Sequence, residues 1–145
     1  MNNIATELVK IPRTFQIRRD MSIVALLKEM GYLELYDQVS VSDIREALTR
    51  DPACVQEWMN YSEDQRCPGW YLCLNDEGLY EVGFFDHNTD PHYNHRVQYE
   101  SAMDACAVFI KQEIETVRSH VIEDIQKHKK TVERKRSLNR ARSNQ

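Results

Sequence analysis

The sequence predicts an α+β domain: N-terminal helices, a three-stranded antiparallel meander, and a long C-terminal helix packed on the sheet. Three observations carry that expectation. Apolar residues recur at helical spacing from residue 22 to about 61. Between residues 70 and 100 the period changes to strand-like alternation around a turn sequence. From Cys106 to Ile125 apolar side chains return at steps of three and four.

Each element has a local reason. Ser22 is an N-cap residue ahead of Ile23, Leu26, Leu27 and Met30, and Gly31 is placed to end that helix. Residues 32–41 read as a short helix plus turn. Ser42 is expected to cap the next helix, with Ile44, Ala47 and Leu48 on one face. Pro52 opens a third helix carrying Val55, Trp58, Met59 and Tyr61, ending by Asp64 or Arg66.

The run WYLCL at 70–74 is a strand by composition. Residues 75–78, NDEG, form a hairpin loop in which Gly78 takes a positive φ. Residues 79–85 return as a strand with Tyr80, Val82 and Phe84 facing inward, and residues 96–100 form the third strand. Three strands need something packed on one face. The final helix supplies it, opening on Ser101 and Asp104 as a capping box. It is expected from 102 to about 135, about 50 Å at 1.5 Å per residue. The part beyond Ile125 should project into solvent, and residues 137–145 should fray. Residues 1–125 thus read as one domain and 126–145 as a basic helical extension.

At 145 residues the chain suits a single domain. A hydrophobic fraction of 41% and a charged fraction of 29% exclude wholesale disorder. The longest apolar runs, IVALL at 23–27 and ACAVFI at 105–110, are far short of the ~20 residues that span a bilayer. The opening MNNIATELVKIPRTF has no apolar core of signal length. A soluble, cytoplasmic protein is expected, with Cys54, Cys67, Cys73 and Cys106 as reduced thiols.

The net charge of −4 hides an asymmetry. Residues 1–19 carry +3, residues 20–104 carry seventeen acids against five bases, and residues 105–145 carry ten bases against five acids. Such a body repels nucleic acid and attracts a basic protein surface, whereas the tail does the reverse.

Catalytic signatures are absent. The four glycines make neither a dinucleotide fingerprint nor a P-loop, and no nucleophile elbow or HExxH occurs. The loop 86–95, with His87, His92 and His95 beside Asp86 and Asp90, is the best candidate to hold a metal or run acid–base chemistry. Its spacing fits no standard ligand set, and the same residues make an ordinary polar turn. No metal or cofactor is expected. The strand aromatics lack the basic surroundings of a base-stacking platform. Val117, Val121, Ile125, His128 and Val132 form a stripe that is short and polar for a coiled coil.

The segments EWMNYSEDQR at 57–66, GWY at 69–71, LYEVGFF at 79–85 and ACAVFI at 105–110, with Glu113 and Ile114, resemble small bacterial immunity proteins. These belong to polymorphic toxin systems, including contact-dependent growth inhibition. The resemblance covers roughly residues 22–118 and leaves out the basic extension. It implies a non-catalytic inhibitor that binds the C-terminal toxin domain of a cognate effector. Many such toxins are nucleases, whose substrate sites are basic, and an acidic body suits that target. The expected toxin-binding residues are Glu63, Asp64, Asp76, Glu77, Asp86 and Asp90, with Tyr80 or Trp70 as an aromatic anchor if exposed. The alternatives are a nucleic-acid-associated regulator acting through the basic tail, or a small metal-dependent hydrolase centred on the loop histidines.

Overall fold

The computed structural model describes residues 3–63, 69–85 and 96–143, with side chains through 138. It begins with two short helices, α1 (Asn3–Leu8) and α2 (Ile11–Ile17), which the charge pattern of residues 1–19 does not signal. Pro12 sits in the first turn of α2, where its missing N–H costs nothing. Ala5, Leu8, Val9 and Ile11 are buried, a helical spacing already visible in the sequence.

Ser22 caps α3 (Ile23–Glu29) by accepting the Ala25 N–H, and Gly31 ends it with φ of +81°. α4 (Tyr32–Leu35) and a 3₁₀ turn (Tyr36–Gln38) follow. The cap of α5 (Val41–Arg50) is Ser40, not Ser42. Ser40 Oγ accepts the Asp43 N–H while the Asp43 carboxylate accepts the Ser40 N–H, a reciprocal box that only the S-x-x-D spacing from residue 40 permits. α6 (Ala53–Glu63) starts directly after Pro52.

β1 (Gly69–Leu74), β2 (Tyr80–Phe85) and β3 (Arg96–Tyr99) form an antiparallel sheet in the order β1-β2-β3. The register pairs Trp70 with Phe84, Leu72 with Val82 and Leu74 with Tyr80; Val82 and Tyr80 in turn face Val97 and Tyr99. These residues share one sheet face, and α7 (Ala102–Ser143) packs on it. Trp70 Nε1 donates to Thr116 Oγ1 of α7 at 3.0 Å. Leu72 and Val82 are buried there, and Tyr80, Phe84 and Trp70 are half-buried. The outer edge of β1 is closed by α6, where Ser62 Oγ accepts the Leu72 N–H at 2.7 Å.

α7 joins the layers. Ala105, Cys106, Phe109, Ile110 and Ile114 are buried against the sheet and the N-terminal helices. Trp58 lies wholly buried beside Phe109, its indole N–H on the Val9 carbonyl at 2.9 Å. Ser101 caps the helix through the Asp104 N–H, and the Asp104 carboxylate receives Arg45 of α5. α7 outruns its expected end: residues 137–143 are helical rather than frayed. No Gly or Pro interrupts residues 126–143, and their cations complement the helix C-terminus. Beyond Val121 the side chains described are exposed, with Val132 half-exposed.

Candidate protein-interaction surface

Several charges of the helical layer pair internally. Arg13 of α2 donates to Asp51 Oδ2 at 2.8 Å and to Glu57 Oε1 at 2.6 Å. The Arg13 hydrogen bond holds Asp51 below the usual carboxylate range, and the guanidinium stays charged. Arg18 pairs with Glu29 at 2.8 Å and pulls that carboxyl down as well. Arg50 pairs with Glu46, and Arg45 with Asp104. The basic N-terminal segment thus neutralises acids of the body, a pairing that segment charges alone do not reveal.

A second network ties α4 and the 3₁₀ turn to α7. Tyr32 Oη donates to Glu115 Oε1, Arg118 Nη2 reaches Glu115 Oε2 at 2.7 Å, and Lys111 Nζ donates to the Tyr36 and Val39 carbonyls. The Arg118 guanidinium lies 3.6 Å from the centre of the Tyr36 ring. Burial alone would raise Glu115, but the hydrogen bonds from Tyr32 and Arg118 and the Lys111 charge outweigh it and hold it low. Burial, then the Glu115 bond, pushes the Tyr32 phenol far up. Both networks are satisfied and structural.

The cysteines are poor nucleophiles. Burial, followed by the Asp51 charge, pushes Cys54 up to about 11; burial also raises Cys106 and Cys73. Among the described residues no group of three or more His, Cys, Asp or Glu is placed to hold a metal ion. His87, His92 and His95 lie outside the described residues, as does Cys67.

The acids at one end of the sheet behave differently. Residues 75–79 join β1 to β2. Their turn is closed by Asn75 N–H to the Leu79 carbonyl at 2.8 Å, and Gly78 takes φ of +81°. Asn75 Oδ1 accepts the N–H groups of Glu77 and Leu79, each at 3.0 Å. The turn is therefore a stiff mount for Asp76 and Glu77, which are exposed. Register brings a third acid to the same end. Leu74, Tyr80 and Tyr99 lie side by side across the three strands, and Glu100 follows Tyr99. Asp76, Glu77 and Glu100 make no ion pair among the described residues. Leu74, 54% exposed, gives this end an apolar contact point.

The expected binding residues therefore divide. Asp76 and Glu77 stand together at the hairpin end. Glu63 is exposed at the end of α6, next to Ser62, which meets the middle of β1. β2 runs away from the hairpin for six residues, about 17–20 Å. Asp64, Asp86 and Asp90 lie outside the described residues. Tyr80 and Trp70 pack against α7, so their rings serve the core more than an interface. Glu81, on the opposite sheet face, accepts hydrogen bonds from Tyr71 and Gln98. Glu100 was missed because only strand register brings it beside the hairpin.

Among the described residues no helix is long and apolar enough to cross a membrane. Comparison with known proteins finds no family model, no curated protein and no solved structure that matches the chain.

Proposed function

We propose that this chain is an immunity protein that binds and neutralises a cognate toxin domain of nuclease type by occluding its basic active site, with no bond-making of its own. One observation supports the reading best. In the helical layer Arg13, Arg18 and Arg50 engage Asp51, Glu57, Glu29 and Glu46, while Asp76, Glu77 and Glu100, with no ion-pair partner among the described residues, share the stiff hairpin end of the sheet. Unpaired carboxylates on a rigid mount steer association with a cationic cleft and lose little freedom on docking. The resemblance of residues 22–118 to immunity proteins points the same way.

The test pairs the chain with the toxin-like C-terminal domain encoded by the neighbouring reading frame. The expected result is a stable complex on size exclusion and loss of nuclease activity in it. Replacing Asp76→Lys and Glu77→Lys together should slow association at low salt by an order of magnitude or more. An unchanged on-rate removes the hairpin from the interface, and failure to form any complex overturns the reading.

A further inference from the structure

The cations of α7 from Lys127 onward are used differently from the arginines at and before residue 118 that form ion pairs. Arg13, Arg18, Arg45, Arg50 and Arg118 each hold a carboxylate. Lys127, Lys129, Lys130, Arg134, Lys135 and Arg136 are all exposed, and none has an ion-pair partner among the described residues. They stand on a continuous helix, and among the described residues no other element covers them. At about 100° per residue, Lys127, Lys130, Arg134 and Lys135 fall within an arc of about 140°, and Lys129 and Arg136 lie directly across the helix from it.

We infer that the C-terminal arm of α7 binds duplex DNA by lying in the major groove with its two cationic sides against the two phosphate walls. A helix of 10–12 Å diameter matches a groove about 12 Å wide. Cations on opposite sides suit two flanking backbones better than one flat anionic surface. Three other polyanions fit less well. Single strands are gripped by stacking on aromatics, and no Phe, Trp or Tyr follows Phe109. The major groove of duplex RNA is deep and narrow. A membrane-surface helix needs one apolar face, whereas Leu138 lies more than 90° around the helix from Ile125 and Val132.

The acidic end of the sheet does not cancel this arm. Glu100 stands just before the first residue of α7, and Lys127 lies about 38 Å along the helix from Ala102. That is several times the Debye length of about 8 Å in physiological salt. The arm is independent of the toxin-binding reading, and either can fail alone.

The experiment is fluorescence anisotropy of the full chain with a labelled 20-base-pair DNA duplex. If four to six phosphates are neutralised, raising salt from 50 to 200 mM should weaken binding by roughly 10²–10³-fold. Replacing Lys127, Lys130, Arg134 and Lys135 together by Gln, a good helix former, should remove most of the binding and flatten the salt slope by about 3.6. Glu133→Lys should tighten binding and steepen the slope, a gain that misfolding cannot mimic. The inference is overturned if the full chain shows no binding at 50 mM salt up to about 100 μM protein. It is equally overturned if the fourfold variant binds as the parent does. A single-stranded oligonucleotide, an RNA duplex, vesicles containing phosphatidylserine or polyglutamate-like acidic protein bound as tightly as the DNA duplex would also overturn it.

Discussion

Tyr32 and Glu115 lie 83 residues apart in the chain, and the Tyr32 hydroxyl donates to the Glu115 carboxylate at 2.5 Å. Tyr32 is wholly buried, so its hydroxyl needs an internal acceptor. Glu115 provides it and is itself balanced by Lys111 and Arg118. The pair fixes α4 and the following turn onto α7 at the level where the core ends.

That arrangement sets a pH dependence. Glu115 titrates below its ordinary value in the folded chain. Its contribution is therefore complete above the unfolded value of about 4.3 and is lost as pH falls through the lower folded value. Urea midpoints between pH 6 and pH 3 should fall with acidification. Glu115→Gln should flatten that fall without abolishing it, because Asp51 and Glu29 are also held low by arginines. An identical pH slope in the variant would show that the Tyr32 bond carries no such linkage.

Trp58 anchors the N-terminal helices through the Val9 carbonyl. Trp58→Phe keeps an aromatic ring beside Phe109 but removes the donor. The loss should be about 1–3 kcal/mol from the hydrogen bond, with a further loss from the missing ring volume. Chemical denaturation followed by circular dichroism measures it. A change below about 0.5 kcal/mol would mean the carbonyl finds another donor.

The cap of α5 separates two neighbouring serines. Ser40→Ala should destabilise by about 1 kcal/mol, since it removes one half of the capping box with Asp43. Ser42→Ala, at an exposed position inside the helix, should stay within about 0.5 kcal/mol. Thermal melts of the two variants distinguish them, and the reverse order would restore Ser42 as the cap.

The asymmetry between local and non-local information explains what was legible. Ser22 and Gly31 bound α3, and Asn75 to Gly78 close the hairpin, through bonds made within five residues. Such signals are complete in the sequence. The Ser40 box had the same local character but was obscured by a second serine two positions on. α1 and α2 were overlooked although Ala5, Leu8, Val9 and Ile11 carry the period, because six- and seven-residue helices are stable only when packed. The length of α7 was underestimated because its last turns have no apolar face, and helix propensity alone carries them to Ser143.

By itself the sequence determined the α+β order of elements, the inward face of the meander and the segregation of charge along the chain. These follow from periodicity, turn chemistry and composition, which need no knowledge of distant neighbours. Only the tertiary structure decided which charges are used internally and which are left over. Arg13 reaches Asp51 and Glu57 across about forty residues, and strand register brings Glu100 to the sheet end that carries Asp76 and Glu77. Pairing of charges depends on distances of a few ångströms between segments remote in the chain, and those distances exist only once the helices have packed and the strands have found their register.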